Sequence, residues 1–97
     1  MKRVYISGAI TGTTDYMERF AAAEEKLTAE GYSVINPAKL GCIMPEDADW
    51  IEYMEVCFCL LGFCDSIYML KGWTDSRGAN AERSTALIRG MNIIMEE

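Results

Sequence analysis

Val4-Tyr5-Ile6-Ser7-Gly8-Ala9-Ile10-Thr11-Gly12 is an apolar run that stops at two glycines, and it reads as a buried strand entering a tight loop. Thr13 or Thr14 is placed to cap the helix that follows, with Asp15 and Glu18 near its positive end. Tyr16, Phe20, Ala23 and Leu27 then recur at helical steps, while Glu24, Glu25, Lys26 and Glu30 take the other sides. Gly31 stops this one-faced helix after about 16 residues.

The rest of the chain repeats that alternation. Tyr32-Ser33-Val34-Ile35 is a second strand, closed by Asn36-Pro37. Residues 38–45 show no period and are expected to form an irregular loop. Pro45 fits the first turn of a second helix with an acid-rich start, Glu46, Asp47 and Asp49. Trp50, Met54, Cys57, Phe58 and Leu61 line one face of it, up to a stop near Gly62. Ser66-Ile67-Tyr68-Met69-Leu70 is a third strand, and the loop after it feeds a helix that reaches Arg89. Asn92-Ile93-Ile94-Met95 is the fourth strand.

The order is therefore β-α-β-α-β-α-β. Strands joined through helices run parallel with right-handed crossovers, and short continuous apolar runs suit a sheet covered on both faces. The expected fold is a single α/β domain over residues 1–97: three-layer, Rossmann-like (flavodoxin-like), with a parallel sheet of about four strands.

With 97 residues there is room for one domain. Size scaling gives a folded surface of about 5,600 Å² against about 16,000 Å² unfolded, so roughly 65% is buried on folding. Such a core is lean, and a second copy would help it. Nine basic against fifteen acidic residues give a net charge of −6, which repels a phosphate backbone and excludes a nucleic acid polymer as a natural partner. The chain has no histidine, which removes the histidine-centred triad and histidine metal sites. Cys42, Cys57, Cys59 and Cys64 lack a recognised zinc spacing and read as small buried apolar groups. No metal and no cofactor is expected. No basic-then-apolar leader or long apolar run is present, so a cytoplasmic protein with reduced thiols and no membrane contact is expected.

In an open parallel sheet, ligands collect outside the carboxyl ends of the strands. Three loops converge there, 7–14, 36–45 and 72–78. The first holds Gly8 and Gly12 but is neither a dinucleotide fingerprint nor a P-loop. It brings backbone close to something, or it is a plain tight turn. In the third, Ser76-Arg77-Gly78-Ala79 opens a helix with Glu82 in its first turns. A hydroxyl and free N–H groups at a helix start suit an anion, and a nearby carboxylate can act on the carbon beside it. The plainer alternative is a capping Ser76 and a surface Glu82.

One set of residues carries a resemblance. Val4 to Gly12, then Gly31-Tyr32 with Asn36-Pro37, then Cys64-Asp65, Ile67 to Leu70, Gly72-Trp73, Ser76, Gly78-Ala79 and Glu82 together resemble the short, often phage-borne DUF4406-type domains. These are grouped with the nucleoside 2-deoxyribosyltransferases and nucleotide N-glycosidases. The resemblance implies cleavage or exchange of an N-glycosidic bond. Glu82 falls on the family's nucleophile, which attacks C1′ of the sugar, and Tyr5 on the tyrosine that orients it. Six residues before the nucleophile the transferases carry an aspartate for the 5′-hydroxyl, and the monophosphate glycosidases a serine for the 5′-phosphate. This chain has Ser76, which implies a nucleoside 5′-monophosphate as substrate. Ser7, Gly8 and the loop beyond it match the phosphate and sugar side of the pocket, together with Gly78 and Ala79. Ala9 and Thr11 stand there in place of a serine and an arginine, so that Arg77 or a neighbouring subunit would complete the phosphate grip.

A larger departure lies on the second helix. Eight residues before Asp65 the family carries a sugar-facing aspartate, and this chain has Cys57. Trp50, Trp73 and Met44 are candidates to face the base, with core or interface packing as the alternative for the two tryptophans. Relatives are dimers or larger. Three readings stay open: an N-glycosidase or deoxyribosyltransferase, an inactive nucleotide-binding protein that sequesters its ligand, and a scaffold that binds a partner.

Overall fold

In the computed structural model, which describes residues 2–97, four short strands alternate with three α-helices. They are β1 (Arg3–Ser7), α1 (Tyr16–Ala29), β2 (Ser33–Ile35), α2 (Trp50–Leu61), β3 (Ser66–Met69), α3 (Arg77–Ile88) and β4 (Asn92–Met95). All strand pairs are parallel and the sheet order is β2-β1-β3-β4. β1 sits inside the sheet, where Val4 is opposite Val34 on one side and Ser66 on the other.

The two-residue period of the strands splits the core into two layers. Val4, Ile6, Tyr68 and Leu70 meet Phe20, Ala23 and Leu27 of α1. Tyr5, Ile67 and Met69 point the other way and meet Leu61 of α2 with Ala79 and Ala86 of α3. One helix thus covers one face, two cover the other, and the domain has three layers. Each large side chain buried here contributes about 1.5–3 kcal/mol.

The connection from β1 leads outward to β2, whereas that from β3 leads outward to β4 on the opposite side. The strand order therefore reverses between β1 and β3, and a crevice opens at their carboxyl ends. Gly8 is needed there for a close approach. A Cβ on it would lie 2.8 Å from Leu70 Cδ1 and 2.9 Å from Leu70 Cβ.

Four local expectations are corrected. Cys42 and Cys59, expected to be small buried apolar groups, are exposed. Residues 38–45 are not wholly irregular, because Pro37–Cys42 forms a 3-10 helix with Asn36 Oδ1 accepting from the Ala38 N–H at 3.0 Å. Pro45 does not open α2; the Ala48 N–H turns back to the Pro45 carbonyl, and the helix starts at Trp50. Its cap is a reciprocal box. Asp49 Oδ1 accepts from the Glu52 N–H at 2.8 Å, and Glu52 Oε1 accepts from the Asp49 N–H at 3.0 Å, worth about 0.5–2 kcal/mol. Neither Thr13 nor Thr14 caps α1: its N-cap is Asp15, and the Thr13 hydroxyl donates instead to the Ile10 carbonyl. Among the described residues no helix is long and apolar enough to cross a membrane.

Candidate functional site

Strand alternation decides the floor of the crevice. Tyr5 and Ser7 are two residues apart on β1, so both side chains leave the same face of the sheet, toward α3. There they meet Glu82, which is only 5% exposed. The Tyr5 hydroxyl donates to Glu82 Oε2, and the Ser7 hydroxyl donates to Oε1 at 2.7 Å. Glu82 is therefore no surface glutamate. A buried carboxylate with a donor on each oxygen is fixed in rotation and position.

Burial pushes the Glu82 carboxyl above its ordinary range, against hydrogen bonds from Tyr5, Ser7 and Cys57 that pull it down. The Tyr5 phenol is driven well up, by burial first and then by its Glu82 and Cys57 neighbours. The Cys57 thiol, which adjoins both groups, is raised to about 11, chiefly by burial. The trio thus pairs one partly desolvated carboxylate with two very weak acids.

Above this floor lies a cavity of about 610 Å³. Tyr5, Gly8, Thr11, Trp50, Cys57, Ser76, Gly78, Ala79 and Glu82 line it. All three loops at the carboxyl ends of the strands reach it, through Gly8 and Thr11, through Pro37 and Gly41, and through Ser76 to Gly78. Ser7 sits behind Glu82 rather than in the wall. Ala9, Met44 and Trp73 are outside the lining. Trp73 packs against the core layer under α2 and α3, with the Arg83 guanidinium 5.0 Å from its ring centroid.

The start of α3 forms one end of the cavity. Ser76 is its N-cap, and its Oγ accepts from the Ala79 N–H at 3.1 Å, while the Asn80 N–H reaches the Ser76 carbonyl. Arg77 and Gly78, next to the cavity, hold the remaining N–H groups of the first turn, which have no intrahelical acceptor. This is a place for an anion. The Arg77 guanidinium stands over Trp50, 4.1 Å from its ring centroid. Among the described residues no cluster of His, Cys, Asp and Glu is grouped to hold a metal ion.

Several wall residues were not singled out from the sequence: Tyr16, Tyr53, Met54, Asp49 and Asp75. Tyr16 and Met54 lie on helix faces that read as core. The usable signals were the Asp49-x-x-Glu52 capping box, which places the α2 start at the crevice, and Asp75 beside Ser76.

A family model described as a domain of unknown function (DUF4406) matches residues 2–95. The chain belongs to that family. No curated protein and no solved structure matches it.

Proposed function

We propose that the protein cleaves or exchanges the N-glycosidic bond of a nucleoside 5′-monophosphate, with Glu82 as nucleophile. The observation that carries this reading is the buried Glu82 carboxylate, held by Tyr5 and Ser7 at the floor of a cavity large enough for a nucleotide. Burial strips water from the carboxylate and makes it a better nucleophile, while the two donors hold it in place beside the cavity. Attack at C1′ gives a glycosyl ester as the base departs, and water or a second base then resolves it. The phosphate belongs at the start of α3, between the Ser76 hydroxyl, the free N–H groups and Arg77. All four cysteines are free thiols, in keeping with a reducing, cytoplasmic setting, and a homodimer or larger assembly is part of the proposal.

Cys57 favours a second reading. A thiol raised to about 11 neither holds sugar hydroxyls as a carboxylate does nor supplies a proton, as expected of a protein that binds a nucleotide without cleaving it. Incubation with the eight common ribo- and deoxyribonucleoside 5′-monophosphates, followed by chromatography, separates the two. Base release that disappears in Glu82→Gln establishes the glycosidase. A nucleotide that raises the melting temperature, with no Glu82-dependent release from any nucleoside 5′-monophosphate, neutral or cationic, establishes the binder.

A further inference from the structure

We propose that the base released at this site carries a positive charge while attached to the sugar, as an N-glycosylated pyridinium or an N7-alkylated purine does. The inference rests on the N-glycosidase reading and names its substrate class.

The wall chemistry points there. Asp49, Asp75 and Glu82 face one cavity whose cation is Arg77, and that guanidinium already rests on Trp50. Tyr16 and Tyr53 offer further aromatic surface in the same cavity. Carboxylates beside aromatic faces attract a flat cation by direct charge and by the ring quadrupole.

Proton supply points the same way. A neutral base leaves readily only if its ring nitrogen is protonated as the C1′–N bond breaks. The chain has no histidine. Asp49 is engaged as the α2 cap, and Asp75 stands exposed in the turn before α3. The groups beside Glu82 are a phenol that already donates to it and a thiol raised to about 11. Neither is suited to general acid work at neutral pH.

A cationic base needs no such donor. The Glu82 carboxylate forms a bond to C1′, the C1′–N bond breaks, and its electron pair passes to the ring nitrogen and cancels the charge. The base departs neutral. Water then adds to C1′, the ester opens to restore the Glu82 carboxylate, and one proton goes to solvent. The sum is cationic nucleotide plus water giving sugar phosphate, neutral base and one proton.

The test compares 7-methylguanosine 5′-monophosphate with guanosine 5′-monophosphate, which differ by one methyl group and one charge, and adds nicotinamide mononucleotide as a second cation. Base release is followed by chromatography after subtraction of the uncatalysed rate, and proton release in a pH-stat, with Glu82→Gln as control. The expected result is kcat/KM at least about 100-fold higher for a cationic substrate, the usual worth of a missing general acid. One proton should appear per nicotinamide released, and both signals should vanish in Glu82→Gln. Cleavage of guanosine 5′-monophosphate, or of another neutral-base monophosphate, within about tenfold of the cations overturns this inference and leaves the glycosidase standing. No Glu82-dependent release from any of them overturns both.

Discussion

Arg77 lies over the ring of Trp50, with its guanidinium carbon 4.1 Å from the ring centroid, and so bridges the first turns of α2 and α3 across the mouth of the cavity. A cation held by a π face is easily exchanged for a phosphate, because the ring keeps only about 0.5–1 kcal/mol at an exposed site. A nucleotide phosphate at the start of α3 should draw Arg77 away and change the emission of Trp50. In a Trp73→Phe background, titration with a nucleoside 5′-monophosphate should give a saturable fluorescence change. Arg77→Met should raise the Kd about tenfold or more, ~1.4 kcal/mol. An unchanged Kd would place the phosphate elsewhere.

Glu82→Gln should gain in stability relative to the parent as pH rises. The folded-state pKa of Glu82 is raised by burial. Its contribution to stability is therefore intact below the unfolded value of about 4.3 and is lost as pH climbs through the higher folded value. Glutamine keeps the shape and carries no such slope. Calorimetry at several pH values between 4 and 8 should show the Tm of the variant gaining steadily on that of the parent, at ~4–8 °C per kcal/mol for a domain of this size. Other carboxylates titrate in both proteins and cancel in the difference.

Tyr5→Phe removes a donor from a buried carboxylate without opening a cavity. Leaving that oxygen short of a partner costs about 1–3 kcal/mol, measurable by urea unfolding near neutral pH. On a cleaved substrate, the same loss of positioning should lower kcat about tenfold or more with little change in KM. Ser7→Ala should follow it in direction.

The cysteines should divide by environment. Cys42 and Cys59 are exposed, whereas Cys57 and Cys64 are half-buried with thiols raised to about 11. At pH 8 such a thiol is ionised in about one molecule per thousand, and the thiolate is the reactive form. Brief treatment with iodoacetamide followed by peptide mass mapping should find label on Cys42 and Cys59 first. A saturating nucleotide should slow Cys57 further, because that thiol faces the cavity, and should leave Cys64 unchanged.

The layered fold was legible in the sequence because its punctuation is local. Gly31 and Gly90 end their helices with φ of +95° and +71°, values that glycine adopts at little cost, and the strands between are short apolar runs. Two boundaries were obscured. Six residues of 3-10 helix carry no 3.6-residue period to detect, and Pro45 imitates a helix-opening proline while the true cap, Asp49, stands four residues on. Of the two partners of Glu82, Tyr5 was visible through resemblance and Ser7 was not, since nothing local ties either residue to a helix near the far end of the chain. Tyr16 and Met54 were hidden for another reason: hydrophobic spacing marks a face as covered without showing whether core or cavity covers it.

The link between β1 and Glu82 also has a consequence in time. Its hydrogen bonds span 77 and 75 residues, so they close only after nearly every intervening element has been translated and folded. Contacts of such separation form late, because the loop entropy between their ends must first be overcome. Until α3 docks, Tyr5 and Ser7 lie along the inner strand of a growing sheet with no acceptor for either hydroxyl. A ribosomal pause or a chain break ahead of α3 would strand an intermediate with an apolar sheet face uncovered, a species prone to aggregate. The same clasp that equips the finished domain makes its nascent form depend on the prompt arrival of its last helix.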